Sequence, residues 1–486
     1  MQGLANQLRN YFGIDFGTTN SATVGFSVMD NRPTMIQYGD DEGRPIPSVV
    51  AINRKTGEVY TGRDAWNKKM ELSESCEYIS SVKSVLDSDW KKKIAGKTWT
   101  PTDVASEVFR ALRKNVQERT KSDLTDAVVA IPIGFAAVKR DHLRKAAKIA
   151  GINIQSFVSE PSAAFFANYS ELKSASTVAI FDWGGGTLDV SIIRNADGKI
   201  SEIASEGMNV AGDDIDRKIA RRIHAKIARK KGIELAFEDM PRGAQDLLLV
   251  RSERAKRALS DDDTATISLL KYGEYGACKE TLDYDWFADI VAPEVDNAIA
   301  CLDRAISESQ IGLANIDRIV MVGGSSNLRP LLEKMEQKYG EMLFFPEQTM
   351  WNVGQGAARL AMNPGQYYSS QSVGLILSDG SYFELLPKDQ KLSGWSRTLN
   401  FALTDTREEA RFVFGGSVDI DSSPLKYRSL AVPAYRFLQE QIQLTVEVDQ
   451  NMVFSALGKS DMRPADYGRI WNYEQLKCYY RLPDLR

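Results

Sequence analysis

Two stretches far apart in this 486-residue chain carry the same chemistry-bearing pattern. Each is an apolar run that ends in Asp and passes through glycine and threonine into a second apolar run. One is Gly13-Ile14-Asp15-Phe16-Gly17-Thr18-Thr19-Asn20; the other is Ile180-Phe181-Asp182-Trp183-Gly184-Gly185-Gly186-Thr187-Leu188-Asp189. The pattern predicts a β-hairpin with a glycine-rich turn, used twice, and a repeated unit implies a duplicated fold around a cleft. Glycines let the backbone approach a ligand with no Cβ in the way, and successive N–H groups in such a turn make a concave anion site. The hydroxyls of Thr18, Thr19 and Thr187 add donors. Asp15 and Asp182, one from each hairpin, can face each other across a divalent cation, most naturally through its waters. The chemistry implied is that of a nucleotide triphosphatase whose two hairpins grip the phosphates from opposite sides.

Two further stretches fit that chemistry. Val322-Gly323-Gly324-Ser325-Ser326 ends a predicted strand and opens a helix, placing N–H groups and a positive helix end near an anion or a sugar-phosphate. Glu253, Lys256, Arg257 and Ser260 stand at i, i+3, i+4 and i+7, the spacing of one helix face. Glu and Ser can bond sugar hydroxyls and base nitrogens, and a guanidinium can stack on a purine. Taken alone, the same spacing describes an ordinary charged helix face.

The elements that must position these residues alternate between strand and helix from residue 10 to about 365. Ala127–Ile133, Asn153–Val158 and Ile319–Val322 are predicted strands; Lys139–Ala150, Pro161–Tyr169 and Leu328–Tyr339 are predicted helices. Such alternation indicates α/β architecture. Along Ile215 to Lys231 a stripe of Ile215, Ile219, Ile223 and Ile227 faces a core, and the basic residues around it form a solvated face. After Asn363-Pro364-Gly365 the pattern becomes short alternating runs with turn residues, an all-β module and most simply a sandwich. The expected organisation is residues 10–365, a linker 366–371, a sandwich 372–460 and an aromatic tail 461–486. The tail, with Tyr467, Trp471, Tyr473, Tyr479 and Tyr480, is expected as a short helix or an extended arm docked on the body, or else as a partner-binding tail.

Composition narrows the function. A net charge of −4 argues against nucleic acid as the main partner. Four scattered cysteines without a CxxC pair suit a reducing compartment, and no apolar run spans a bilayer or forms a signal core. A cytoplasmic protein with no membrane partner is expected. The two histidines, His142 and His224, read as surface helix residues, which excludes histidine-centred hydrolysis.

The motifs Gly13 to Ser21, Glu160-Pro161-Ser162-Ala163-Ala164, Phe181 to Asp189, Glu253 to Ser260 and Val322 to Ser326 occur in this order. They closely resemble the seventy-kilodalton heat-shock chaperone family, within the actin/hexokinase-like ATPase superfamily. The resemblance covers residues 11 to about 362, and more loosely the β module through Leu385-Leu386-Pro387-Lys388 and Leu444 to Leu457. It implies a duplicated actin-like (ribonuclease H-like) two-lobed ATPase domain followed by a small β-sandwich. It implies ATP/ADP and Mg²⁺ as cofactors and slow hydrolysis. Gly17, Thr18, Thr19, Asn20, Gly184, Gly185, Gly186 and Thr187 would hold phosphates, with Asp15 and Asp182 on hydrated Mg²⁺. Gly212, Glu253, Lys256, Arg257, Ser260, Gly323, Gly324 and Ser325 would complete the nucleotide site. Lys83, Glu160, Thr187 and Asp189 would position the γ-phosphate, the attacking water and the metal, a job of placement and charge neutralisation.

The resemblance also implies that nucleotide state controls binding of unfolded or extended protein segments by the β module, with a J-domain co-chaperone or a nucleotide-exchange factor as further partners. A nucleotide-gated scaffold for one dedicated partner and a small-molecule kinase are the alternatives. The chain departs from the family at Asn327, where an arginine normally stacks on adenine, with Arg329 two positions on, and at Met350, where an acid is usual. The linker Pro364 to Gln371 is polar and aromatic where the family's is acidic and leucine-rich, which puts domain coupling in question, although Pro132 and Arg140 match coupling positions. The chain ends soon after the sandwich, leaving no room for a helical lid, so client binding is expected to be fast and weak.

Overall fold

The computed structural model describes residues 10–27, 32–37, 44–67, 75–120, 122–402, 408–416, 428–435, 439–463 and 468–481. Residues 1–9, together with Pro464, Tyr467 and Pro483 of the C-terminal segment, lie outside them. The chain divides into two compact units: 1–134, 142–195 and 202–362 form the first, and 135–141, 196–201 and 363–486 form the second.

The first unit repeats one sheet. In the first copy the order is Asn153–Ser159, Asp126–Ile131, Asn10–Phe16, Asn20–Ser27, Arg32–Met35. In the second it is Leu343–Phe344, Arg318–Val322, Thr177–Trp183, Leu188–Ala196, Lys199–Met208. Each copy is built on the first strand of its glycine hairpin. That strand has its hairpin partner antiparallel on one side and a later strand parallel on the other: Asp126–Ile131 in one copy, Arg318–Val322 in the other. A strand paired on both sides and covered on both faces must be apolar nearly throughout, and Thr177–Trp183 is buried at every position except Asp182. This is the duplicated, two-lobed actin-like ATPase fold.

Local signals place the helices. Ala137–Ile149 is closed by Gly151 at φ 76, a left-handed conformation that suits glycine. Glu160–Ala167 is capped by the Ser159 hydroxyl, which accepts from the Ser162 N–H, and takes Pro161 in its first turn. The helix Asn352–Leu360 packs backbone to backbone: a Cβ on Gly13 would lie 2.0 Å from Ala358 N, and one on Gly356 would lie 1.7 Å from Ala163 O. Along Gly212–Lys231 the four isoleucines are all buried, and Arg217, Lys218, Arg221 and Lys230 pair with Asp214, Glu294, Glu238 and Glu280. His224, read as a surface residue, is 4% exposed. Its Nε2 lies 2.9 Å from the Leu235 carbonyl and so carries the proton, leaving Nδ1 to accept from the Tyr272 hydroxyl at 2.8 Å.

The second unit holds two four-stranded antiparallel sheets. One runs Tyr382–Leu386, Val373–Ile376, Glu409–Gly415, Arg428–Pro433; the other runs Ser396–Ala402, Gln441–Val448, Phe454–Ser460, Arg469–Tyr473. Gln441–Val448 alternates exposed and buried residues, sending Ile442, Leu444, Val446 and Val448 into a core shared with Val373, Leu375, Leu385 and Phe414. The second sheet takes its last strand from Arg469–Tyr473, where Trp471 stacks on Phe414 with ring centroids 4.0 Å apart. The boundary drawn at 460 therefore cuts a sheet. Among the described residues the aromatic segment forms no helix: it supplies two strands, Arg469–Tyr473 and Cys478–Arg481, because its large rings alternate onto pleated surfaces.

Candidate nucleotide site

The site is assembled from turns of the first unit, and glycine makes the assembly possible. A Cβ on Gly185 would lie 2.5 Å from Thr19 Oγ1, and one on Gly186 would lie 3.3 Å from Thr18 Cβ. The two hairpin turns thus meet face to face. Gly323, at φ 84, presses its backbone to within 2.6 Å (from an added Cβ) of Asp182 Oδ1. Ser325 Oγ donates to Gly184 O at 2.7 Å, and Gly212 N donates to the same carbonyl at 3.2 Å. The third turn and the start of helix Gly212–Lys231 are therefore fastened to the second hairpin.

The acids converge as the repeat requires. Asp15 is pushed up to about 7, first by burial and then by the negative charge of Glu160, with Lys83 pulling the other way. Asp182 is raised well above the usual carboxylate range by burial, then by Glu160, Asp189 and Asp15. Asp189 is raised to about 6 by burial and Glu160, against the hydrogen bond from Thr187 and the charge of Lys83. Carboxylates that repel one another in a half-buried crevice call for a cation. Hard oxygen donors of this kind fit Mg²⁺. Among the described residues no three His, Cys, Asp or Glu side chains are grouped to hold an ion directly, which suits a cation held through water and phosphate oxygens.

Among the described residues Lys83 is the cation that acts on Asp15, Asp182 and Asp189 together. Read alone in the sequence it is a solvated lysine, yet it is 5% exposed. Its Nζ donates to Glu160 Oε1 at 2.6 Å. It stands on a single 3₁₀ turn, Val82–Val85, preceded by Ser81 in the left-handed region at φ 56. Glu160 opens its helix, and the helix start is secured by Glu202, which accepts from the hydroxyls of both Ser159 and Ser162.

Other assigned residues are placed differently from expectation. The hydroxyl protons of Thr19 and Thr187 go to carboxylates: Thr19 donates to Asp213 at 3.1 Å and Thr187 to Asp189 at 2.8 Å. Each oxygen keeps its lone pairs, so these two hydroxyls can accept but have no proton left to donate. Glu253, Lys256 and Arg257 lie in the helix Arg242–Ala258 at i, i+3 and i+4, but Ser260 does not. The helix ends at Ala258, and Ser260 lies in the turn beyond it because Leu259 closes the last backbone bonds. Lys256 turns inward, donating to Gly212 O at 3.0 Å and pairing with Asp216 at 2.9 Å, whereas Arg257 stays exposed and pairs with Glu253. Arg329, two positions beyond Asn327, is held by acids and a tyrosine ring. Its guanidinium donates to Asp263 at 2.8 Å and Glu333 at 3.1 Å and lies 4.0 Å over the Tyr284 ring. Asn327 donates to Thr349 at 3.3 Å. Asp213, Asp216 and Glu202 complete the site without having been singled out in the sequence. No local spacing in the sequence marks any of the three.

The model of a family described as Hsp70 protein matches residues 85–345, more than half of the chain. That span contains Glu160, the second hairpin, the Glu253 helix and the third glycine turn, while the first hairpin and Lys83 precede it. No helix among the described residues is long and apolar enough to cross a membrane. The chain belongs to the Hsp70 family, whose members are ATP-hydrolysing chaperones that bind ATP and ADP with Mg²⁺ and engage unfolded protein segments.

Proposed function

We propose that this protein hydrolyses ATP slowly and that the ATP or ADP state of its first unit controls how the β module holds an extended segment of another protein. The observation that carries the reading is the buried Lys83–Glu160 pair, 2.6 Å apart, set among Asp15, Asp182 and Asp189. Gly17, Thr18, Asn20, Gly185 and Gly186 cradle the phosphates through backbone N–H groups and the Thr18 hydroxyl, while the Gly184 N–H closes the turn onto Thr187 O at 2.9 Å. Asp15 and Asp182 would hold hydrated Mg²⁺, which would supply neutralisation of charge on the phosphates. Lys83 lies against the γ-phosphate, and Glu160 and the Thr187 oxygen accept from the attacking water. Asp189 keeps the Thr187 hydroxyl turned so that a lone pair faces that water. Glu253, Arg257, Ser260 and the third turn border the nucleoside, while Lys256 and Asp216 brace the floor beneath it. Catalysis of this kind comes from placement and charge, not from a strong base.

A scaffold for one dedicated partner is the second reading, favoured by the linker, whose Tyr367–Ser369 forms a strand in place of a leucine-rich connector. The deciding experiment measures ATP turnover alone, with an unfolded peptide, and with a J-domain protein. Stimulation in either case supports the chaperone reading, and an unresponsive rate in both overturns it. A pull-down with Thr187→Ala, which should arrest the ATP state, separates the two: many extended clients in one case, a single enriched protein in the other.

A further inference from the structure

The aromatic C-terminal segment has no part in the site above, yet its strand Cys478–Arg481 is bonded on both sides within the second unit. On one side it runs antiparallel to Tyr367–Ser369, pairing Tyr367 with Tyr480, Tyr368 with Tyr479 and Ser369 with Cys478. Arg481 N donates to Gln366 O and Ser370 N donates to Lys477 O, both at 3.0 Å. On the other side it runs antiparallel to Lys199 and Ile200, which pair with Arg481 and Tyr480. The rings interlock: Tyr368 stacks on Tyr479 at 5.7 Å and Tyr367 meets Tyr480 edge-on at 5.5 Å. The polar ends are also fixed. Tyr479 donates to Asp389 at 2.6 Å, Lys199 donates to the same oxygen at 2.9 Å, and Tyr480 donates to Asn363 O at 3.0 Å. Tyr479 and Tyr480 are each 4% exposed.

We infer that segments 196–201 and 366–370 form a strand-accepting slot and that Cys478–Arg481 is its resident ligand. The slot takes an extended peptide with two consecutive tyrosines, one ring on each face of the sheet, each against a tyrosine of the linker strand. The linker's other edge is bonded to Asp389–Leu392, where Ser369 N donates to Gln390 O and Leu392 N donates to Tyr367 O, both at 2.9 Å, so a strand of like chemistry that displaces the resident one frees only the edge that faces the slot. Main-chain bonds supply the affinity and the two rings the selectivity.

The test uses the full chain carrying Tyr479→Ser and Tyr480→Ser. Hydrogen exchange at Tyr368 and Ser370, whose amides face the slot, and in 196–201 should rise about tenfold or more, with Ile442–Val448 unchanged as the measure of an intact sandwich. A peptide of residues 474–486, added at on the order of 1 mM to replace the lost intramolecular strand, should restore the protection. Exchange at Tyr368 and Ser370 that stays slow in the variant, or protection the peptide does not restore, overturns the inference. A second variant keeps the native tyrosines. Ser369 and Cys478 are a non-hydrogen-bonded antiparallel pair, with Cα atoms about 4.5 Å apart by sheet geometry, so Ser369→Cys should cross-link to Cys478 under mild oxidation. Failure to cross-link would also overturn it, and Ser369→Cys with Cys478→Ser controls for other thiols.

Discussion

Lys83 illustrates how a residue's surroundings decide its chemistry. Burial against Glu160 fixes its ammonium where negative charge must be spread in phosphoryl transfer. Lys83→Met should lower ATP turnover by roughly 10²- to 10³-fold while nucleotide affinity, measured by calorimetry, stays within a few-fold. Equal loss of both would assign the residue to binding. Asn327→Arg would restore a guanidinium near the base and should tighten ADP binding up to about tenfold, the scale of a cation–π contact. No change would place the base elsewhere. The Asp216–Lys256 pair makes a pH prediction. Burial raises Asp216 from 3.8 to about 6 in spite of Lys256, so its desolvation outweighs the ion pair. The folded chain takes up that proton first. The group's contribution to stability is therefore fully present below about pH 4 and is lost as pH rises through about 6. Asp216→Asn removes this dependence. Urea unfolding at pH 4 and pH 7 should show the variant gaining on the wild type by on the order of 3 kcal/mol, and a constant difference would refute the account.

At the scale of elements, packing distances between backbones set what the chain tolerates. Helix Asn352–Leu360 lies so close to Glu160–Ala167 that any side chain on Gly356 must push the helices apart. Gly356→Val should destabilise the first unit by about 3 kcal/mol or more, seen as a lowered unfolding midpoint with Glu160 displaced and turnover lost. An unchanged midpoint would mean that the contact is slack. The same scale explains what the sequence could convey. The hairpins, the isoleucine stripe and the strand Gln441–Val448 were legible because their periods are local and strong. The strand Ser396–Ala402 was not, since on this sheet edge only Leu399 and Phe401 turn toward the core and the alternation they make is too short to stand out. Cys478–Arg481 was hidden because its partners lie more than a hundred residues upstream. In the site, Asp15 and Asp182 could be paired from the repeat alone, whereas Asp213, Asp216 and Glu202 act through contacts that no spacing encodes.

For the whole molecule, duplication is the organising fact: one sheet order, written twice, supplies two turns that meet over a shared set of acids. If nucleotide is gripped from both copies, as proposed above, its binding should stabilise the first unit as one body. Saturating MgADP, at about a hundred times its Kd, should add about 2.7 kcal/mol to its unfolding free energy. Calorimetry in which only part of that unit's transition moves would contradict the two-sided grip. The polar linker accounts for the remaining difficulty at this scale. Its function could not be read from composition, since its strand character depends on a partner at the other end of the chain.

The left-handed serine before Lys83 has its own consequence. Holding Ser81 at φ 56 costs about 1 kcal/mol that a glycine would not incur, and the return is stiffness. A long, floppy amine arrives already aimed, sparing the bound state roughly 2 kcal/mol of rotamer freedom that it would otherwise surrender. The pivot is thus a tensioned mount for a single charge, tuned for pointing accuracy at the expense of ease of folding.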